Sequence, residues 1–258
     1  MAVSKEEENE KHLRRQIDFL KTTQLPHGLW TAADGSLGVN LREEYSKYVW
    51  PRDCVHMIRA LLLAGELKAA ERGLEGLLTI MENQKAKLDE VIANPTLAYG
   101  EKGQYNRFMP RYRREDLFPV ARENGDHWNN FQNDVSGAML WIFGKAESLG
   151  FGFLKTEKNR QLLKQLVFYL RAIKFWEDKD VGFWEESPYE IRSSSLAAVI
   201  SGLKAIEPFI PVSRDLIARG EESLRRLLPR ETETRQYDSA SLYALDPFGV
   251  VDKVVARR

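Results

Sequence analysis

The sequence predicts an all-α fold, a toroid of helical hairpins with a cleft at one end. Apolar residues recur at helical spacing along most of the chain, and strict alternation is nearly absent. Proline and serine signals stop and start the periodic segments where helices should end and begin. The links between segments are short and long in turn. If successive helices reverse direction, every long link falls at the same end of the bundle and every short one at the other.

Leu13, Ile17 and Leu20 mark a first helix after an acidic start, and a second is read at about 52 to 65. Leu67, Ala70, Leu74, Leu77, Leu78 and Met81 trace the stripe of a long third helix, which Asn94-Pro95 ends because proline lacks an N–H and pushes its predecessor out of the α region. Further helices are read at about 134 to 149, 157 to 178 (Leu162, Leu163, Leu166, Leu170, Ile173), 194 to 207, 214 to 228 and 237 to 246. Ser193 or Ser194 is a fitting N-cap for the helix that Glu207-Pro208 stops. That makes about eight helices and no convincing strand. The links Ala64-Gly65-Glu66, Gly150 to Thr156 and Pro208 to Ser213 are short. Those at roughly 24 to 51, 94 to 132, 179 to 192 and 229 to 236 are longer and build one loop face on a helical scaffold. A helical-repeat scaffold is the alternative, but the loops lack the fixed-period similarity of repeats.

Composition removes several function classes. The 258 residues, 43% of them hydrophobic, suffice for one sizeable core, and no Pro/Gly/Ser linker divides them, so residues 1–258 are expected to form one unit. Basic and acidic residues both number 38, so a nucleic-acid partner is not expected. The charged N-terminus and the short apolar runs predict a soluble cytoplasmic protein with no membrane partner. Cys54, the single cysteine, reads as a small packed residue on a helix, and His12, His27, His56 and His127 have no metal-ligand spacing, so no metal is expected.

The candidate chemistry falls on the long loops. In VGFWEESPYEIRSSS, Trp184, Glu185 and Glu186 have the make-up of a sugar site: a carboxylic acid against an indole face is desolvated and keeps its proton for a glycosidic oxygen. The plain alternative is a packed tryptophan beside two solvated charges. In YSKYVWPRDC, Trp50, Arg52 and Asp53 precede a helix as a helix-terminal ion pair, or as a clamp on vicinal hydroxyls with an aromatic cover. GDHWNNFQND brings Trp128, Gln132 and Asp134 to another helix start, where Asp134 fits an N-cap. Arg235, Tyr237 and Asp238 stand at a further start with a weaker signal, Asp238 being best read as a cap. Trp141 and Trp176, on helices, read as packed.

These segments, with HGLWTAA, QLVFYLRAIKFWEDKDVGFWEE, RSSSLAAVISGLKAIEP and LLPRETETRQYDSASLYALDPFGVVD, resemble in order and spacing glycoside hydrolase family 15, the glucoamylase family. In places they are still more similar to its relatives, the α and β regulatory subunits of phosphorylase kinase. The resemblance spans nearly the whole chain. It implies an (α/α) barrel of six hairpins, no cofactor, and inverting hydrolysis at the non-reducing ends of α-glucans. Glu185 would be the general acid, Arg52 and Asp53 the pair that grips the terminal glucose, and Trp128 an indole near the acid. Trp184 and Glu186 would flank the position of the next sugar, and Gln132 and Asp134 would support the site. An inverting enzyme also needs a basic carboxylate about 6.5 to 9.5 Å from the acid. In the family it comes from beyond the segment resembling DPFGVVD. The resemblance therefore implies an incomplete barrel of about eight helices, open to self-association, and no identifiable base. The alternative function is a non-catalytic α-glucan-binding or regulatory module; a helical interaction scaffold is a third.

Overall fold

Helices occupy the periodic segments of the computed structural model, which describes residues 5–33, 43–100, 103–120 and 129–251. In chain order they are α1 (Lys5–Thr23), the short α2 (Glu43–Lys47), α3 (Pro51–Leu63), α4 (Leu67–Ala93), α5 (Asn133–Ser148), α6 (Glu157–Ala172), α7 (Ser193–Ile206) and α8 (Arg214–Leu227). Pro51 opens α3 at a position where the missing N–H costs nothing, and Asn94 before Pro95 closes α4. Thr156 caps α6 by accepting from Asn159 N at 3.3 Å.

Several sequence expectations are corrected. The helix expected over 157 to 178 stops at Ala172, because Lys174 takes a left-handed φ of 51° and the chain continues as turns. The segment expected as a helix over 237 to 246 is a 3-10 helix, Ser239–Ala244. Two strands of two residues occur, β1 (Tyr48–Val49) and β2 (Tyr112–Arg113), paired antiparallel. They stitch the first two long loops together and are too short to show alternation. Neither Ser193 nor Ser194 is an N-cap: Arg192 holds that position in α7, without a side-chain cap. Gln132, not Asp134, precedes α5. Leu13 and Leu67 lie exposed, so the buried faces of α1 and α4 are narrower than their stripes.

α5 is buried nearly all round and α7 likewise, which marks both as inner helices. Their backbones nearly touch. A Cβ on Gly137 would stand 2.4 Å from Ala198 C, and one on Gly144 would stand 2.4 Å from Ala205 O. Seven residues along α5 correspond to seven along α7, so the two run parallel. α3 packs on the other side of α5, while α4, α6 and α8 pack outside. The N-terminal ends of α3, α5 and α7 therefore share one end of the molecule with all the long links, and the short links lie at the other. This arrangement is an incomplete all-α toroid. Among the described residues no helix is long and apolar enough to cross a membrane.

Candidate active site

Arg52, in the first turn of α3, is the hub of the loop face. Its Nε donates to Asp134 Oδ2 at 2.7 Å and its NH2 nitrogen to Asp134 Oδ1 at 3.2 Å, a fork on a carboxylate whose side chain is fully buried. The same NH2 nitrogen reaches Gln132 Oε1 at 2.5 Å, and NH1 reaches the Phe183 carbonyl at 3.1 Å and Glu185 Oε1 at 3.4 Å. Burial works against this cation. The charge and hydrogen bonds of Asp134, with Glu185 and Asp53 nearby, outweigh it and raise the Arg52 pKa.

Glu185 is presented by a tight turn. Gly182 has a φ of 62° and Glu185 one of 58°, and Glu185 N donates to the Gly182 carbonyl at 3.2 Å. At Gly182 a Cβ would lie 2.3 Å from Arg192 Cδ, so glycine is required for contact as well as for φ. Gln132 Nε2 donates to Glu185 Oε1 at 3.1 Å, while Oε2 accepts no hydrogen bond among the described residues. The side chain is 20% exposed. Burial raises the Glu185 pKa, and Arg52 and Gln132 oppose that only in part. Glu185 thus combines a carboxyl reluctant to ionise with an oxygen, Oε2, that no described residue binds.

The other expected site residues are placed as follows. Asp53 stands beside Arg52, with its pKa raised by burial against the pull of Arg52, and it accepts no hydrogen bond among the described residues. Gln132 and Asp134 support the hub. Trp50 is only 4% exposed and packs between Tyr45 and the Arg111 guanidinium. Trp184 is half exposed and its indole N–H donates to Asp238 Oδ1 at 2.9 Å. Glu186 pairs with Arg235, which also holds Asp238 Oδ2 at 2.9 Å. Asp238 caps the 3-10 helix through Ala240 N, as its sequence position suggests. Trp128 lies outside the described residues.

Sequence reasoning missed the groups that seat the acid loop. Phe183 stacks on Tyr243 with centroids 3.9 Å apart, and Arg52 lies over the Phe183 ring at 5.0 Å. Asp180 is 1% exposed and accepts from Asn133 N at 3.0 Å, tying the loop to the start of α5. Burial, aided by Asp134, pushes its pKa up to about 8. Arg107 and Asp178 form a buried pair joined to Asn133. Glu231 accepts from both hydroxyls of Ser193 and Ser194 and from Ser194 N at 3.1 Å, which closes the start of α7. No motif in the sequence singles out these residues, because their contacts join segments far apart in the chain.

Comparison with known proteins bears on the fold and the family. The family model for glycosyl hydrolases family 15 matches residues 20–226. An isomaltose glucohydrolase from Kribbella flavida is 26% identical over 163 residues, 63% of this chain and 40% of the relative. A solved glycosidase superposes with a TM-score of 0.78 at 20% identity, covering 99% of this chain and 70% of its own. A substituted glycosidase in complex with glucose does so with a TM-score of 0.78 at 21% identity and the same coverage. The structural likenesses show the fold, and the family model covers most of the chain. The chain belongs to the glycosyl hydrolases of family 15.

Proposed function

We propose that this chain carries the acid half of an inverting glycoside hydrolase that removes glucose from the non-reducing ends of α-glucans, with Glu185 as general acid. The observation that carries this reading is the Glu185 carboxyl, held by Arg52 and Gln132 at one oxygen, bound by no described residue at the other, and shifted toward its protonated form by burial. Asp53, which accepts no hydrogen bond among the described residues, is the acceptor for a sugar hydroxyl. Arg52 has its donors committed to protein, so it positions Gln132 and Glu185 rather than gripping the sugar alone. Half-exposed Trp184, with Glu186 and Arg235, forms the rim where the next sugar would lie.

A second reading, a non-catalytic α-glucan-binding or regulatory module, is favoured by one observation. Among the described residues Asp134, Glu186 and Asp238 are each bound to an arginine, so none is a ready base for water. Proton NMR of the anomeric signals separates the two, with maltoheptaose and isomaltose as substrates. The enzyme reading expects β-glucose as first product, and no turnover but near-intact sugar binding in Glu185→Gln. Unchanged turnover in that variant sinks the assignment of the acid. No product from folded wild type selects the binding module.

A further inference from the structure

A cavity of about 660 Å³ opens between the C-terminal ends of α4 and α6, on the outer side of the loop face. It is not the acid site, since Arg52, Gln132 and Glu185 are absent from its lining. The two are adjacent. Phe131 lines the cavity, and Gln132, the next residue, bonds the acid.

One wall is a rigid aromatic stack. The Arg107 guanidinium lies 5.2 Å from the Tyr99 ring and 4.1 Å from the Phe131 ring, and Tyr189 meets Phe131 edge-on at 5.0 Å. Tyr99 is fixed further because its hydroxyl donates to the Ile173 carbonyl at 2.8 Å. Yet Tyr99 is 45% exposed and Tyr189 43%, far more than packing residues of their size. The floor is electrically neutral, because Arg107 is forked onto Asp178. Exposed Lys174, Glu177 and Lys179 supply donors and an acceptor, and Lys179 has no ion-pair partner among the described residues. Fixed rings with open faces, a neutral floor and mixed donors and acceptors suit a ligand with apolar C–H faces and many hydroxyls.

We propose that this cavity is a second carbohydrate site, which holds one or two neutral hexose units of the chain whose end enters the acid site. The choice of an α-glucan rests on the reading of Glu185 given above. Because both sites open on one face, the cavity would act on long chains and branched polymers and leave short oligosaccharides unaffected. It would raise the local concentration of chain ends beside Glu185.

The test is electrophoresis of the 258-residue protein through native gels with and without glycogen. Tyr189→Ala and Tyr99→Ala are expected to weaken glycogen retardation at least five-fold, whereas Glu185→Gln leaves it unchanged. Maltose binding at the acid site, followed by the Trp184 indole N–H signal, stays the same in both tyrosine variants. Tyr99 is anchored to Ile173, so if Tyr99→Ala fails to fold, Tyr189→Ala carries the test. Wild-type retardation in Tyr189→Ala, or no retardation of the wild type, overturns the proposal. Loss of retardation in Tyr189→Ala without any β-glucose release would leave the outer site standing and remove the acid assignment; release of β-glucose with unaltered retardation would do the reverse.

Discussion

Arg52→Ala should be the most damaging single change on the loop face, for a reason that can be worked from distances. The guanidinium side chain is 13% exposed and its main partner Asp134 is not exposed at all, with contacts at 2.7 and 3.2 Å. Truncation leaves a buried carboxylate with no countercharge, which costs about 3–5 kcal/mol. That is a large share of the ~5–15 kcal/mol by which a domain is stable. Arg52→Lys keeps the charge and loses the fork, so it should cost about 1.5–3 kcal/mol, comparable to a charged hydrogen bond. Urea denaturation at neutral pH measures both, and a cycle with Asp134→Asn isolates the pair. A coupling energy above about 1 kcal/mol is expected, whereas additivity within about 0.5 kcal/mol would refute the hub. The electrostatic half has its own readout. Arg52 favours ionisation of Glu185 less than burial favours its proton, but it does hold the pKa down. Removing the charge must therefore raise the Glu185 pKa further. A carboxyl carbon titration by NMR that shows it unmoved or lowered in folded Arg52→Ala would contradict the assignment.

Glu231→Ala should lose about 2–3 kcal/mol, because Ser194 N–H and two hydroxyls at the start of α7 lose a buried acceptor; a loss under about 0.5 kcal/mol by urea melt would count against this cap. Gly137→Ala should destabilise by at least about 1–3 kcal/mol despite alanine's better helix propensity, since its Cβ would stand 2.4 Å from α7 backbone; a gain in stability would show that the helices separate freely. Asp180 supplies a pH prediction. Its folded pKa of about 8 lies above an unfolded value of about 3.9, so between those limits the folded state holds the extra proton and stability falls as pH rises, by up to about 1.4 kcal/mol per unit. Asp180→Asn, neutral throughout, should flatten the profile between pH 5 and 8; parallel profiles for wild type and variant would refute it.

The helices were legible because burial against a core repeats every three to four residues, and the split into short and long links was legible from proline, glycine and serine positions. Asp134, Ser193 and Ser194 show where that reading stops. Each is of the right type, at the right place, to cap its own helix. Each is instead taken by a partner far along the chain: Arg52 stands 82 residues before Asp134, and Glu231 stands 37 residues after Ser194. Local preference states only that a helix start wants an oxygen, and tertiary structure decides whose. The short end of α6 had no signal either, because nothing in a lysine announces a left-handed conformation. Asp178 falls at the expected end of a helix and Asp180 in a long loop, and nothing local signals their burial, which depends on Arg107 and on the start of α5.

The division of Arg52's charge explains how neighbouring carboxylates take different roles. Asp134 receives the fork, at 2.7 and 3.2 Å, and acts as a fixed counterion. Glu185 receives only an edge contact at 3.4 Å and a neutral amide at 3.1 Å, both on one oxygen. Coulomb attraction of this kind falls with distance, and one shared cation cannot serve two anions fully. The desolvation of Glu185 is thus left under-compensated, which gives its pKa an upward direction. The left-handed turn at Gly182 and Glu185 serves the same end by setting the carboxyl at the edge of the guanidinium rather than in its fork. A conformation that brought Glu185 into the fork would stabilise the anion and discharge the acid. If Glu185 is the acid proposed above, the turn at Gly182 and Glu185 and the weak 3.4 Å contact are both requirements of that chemistry.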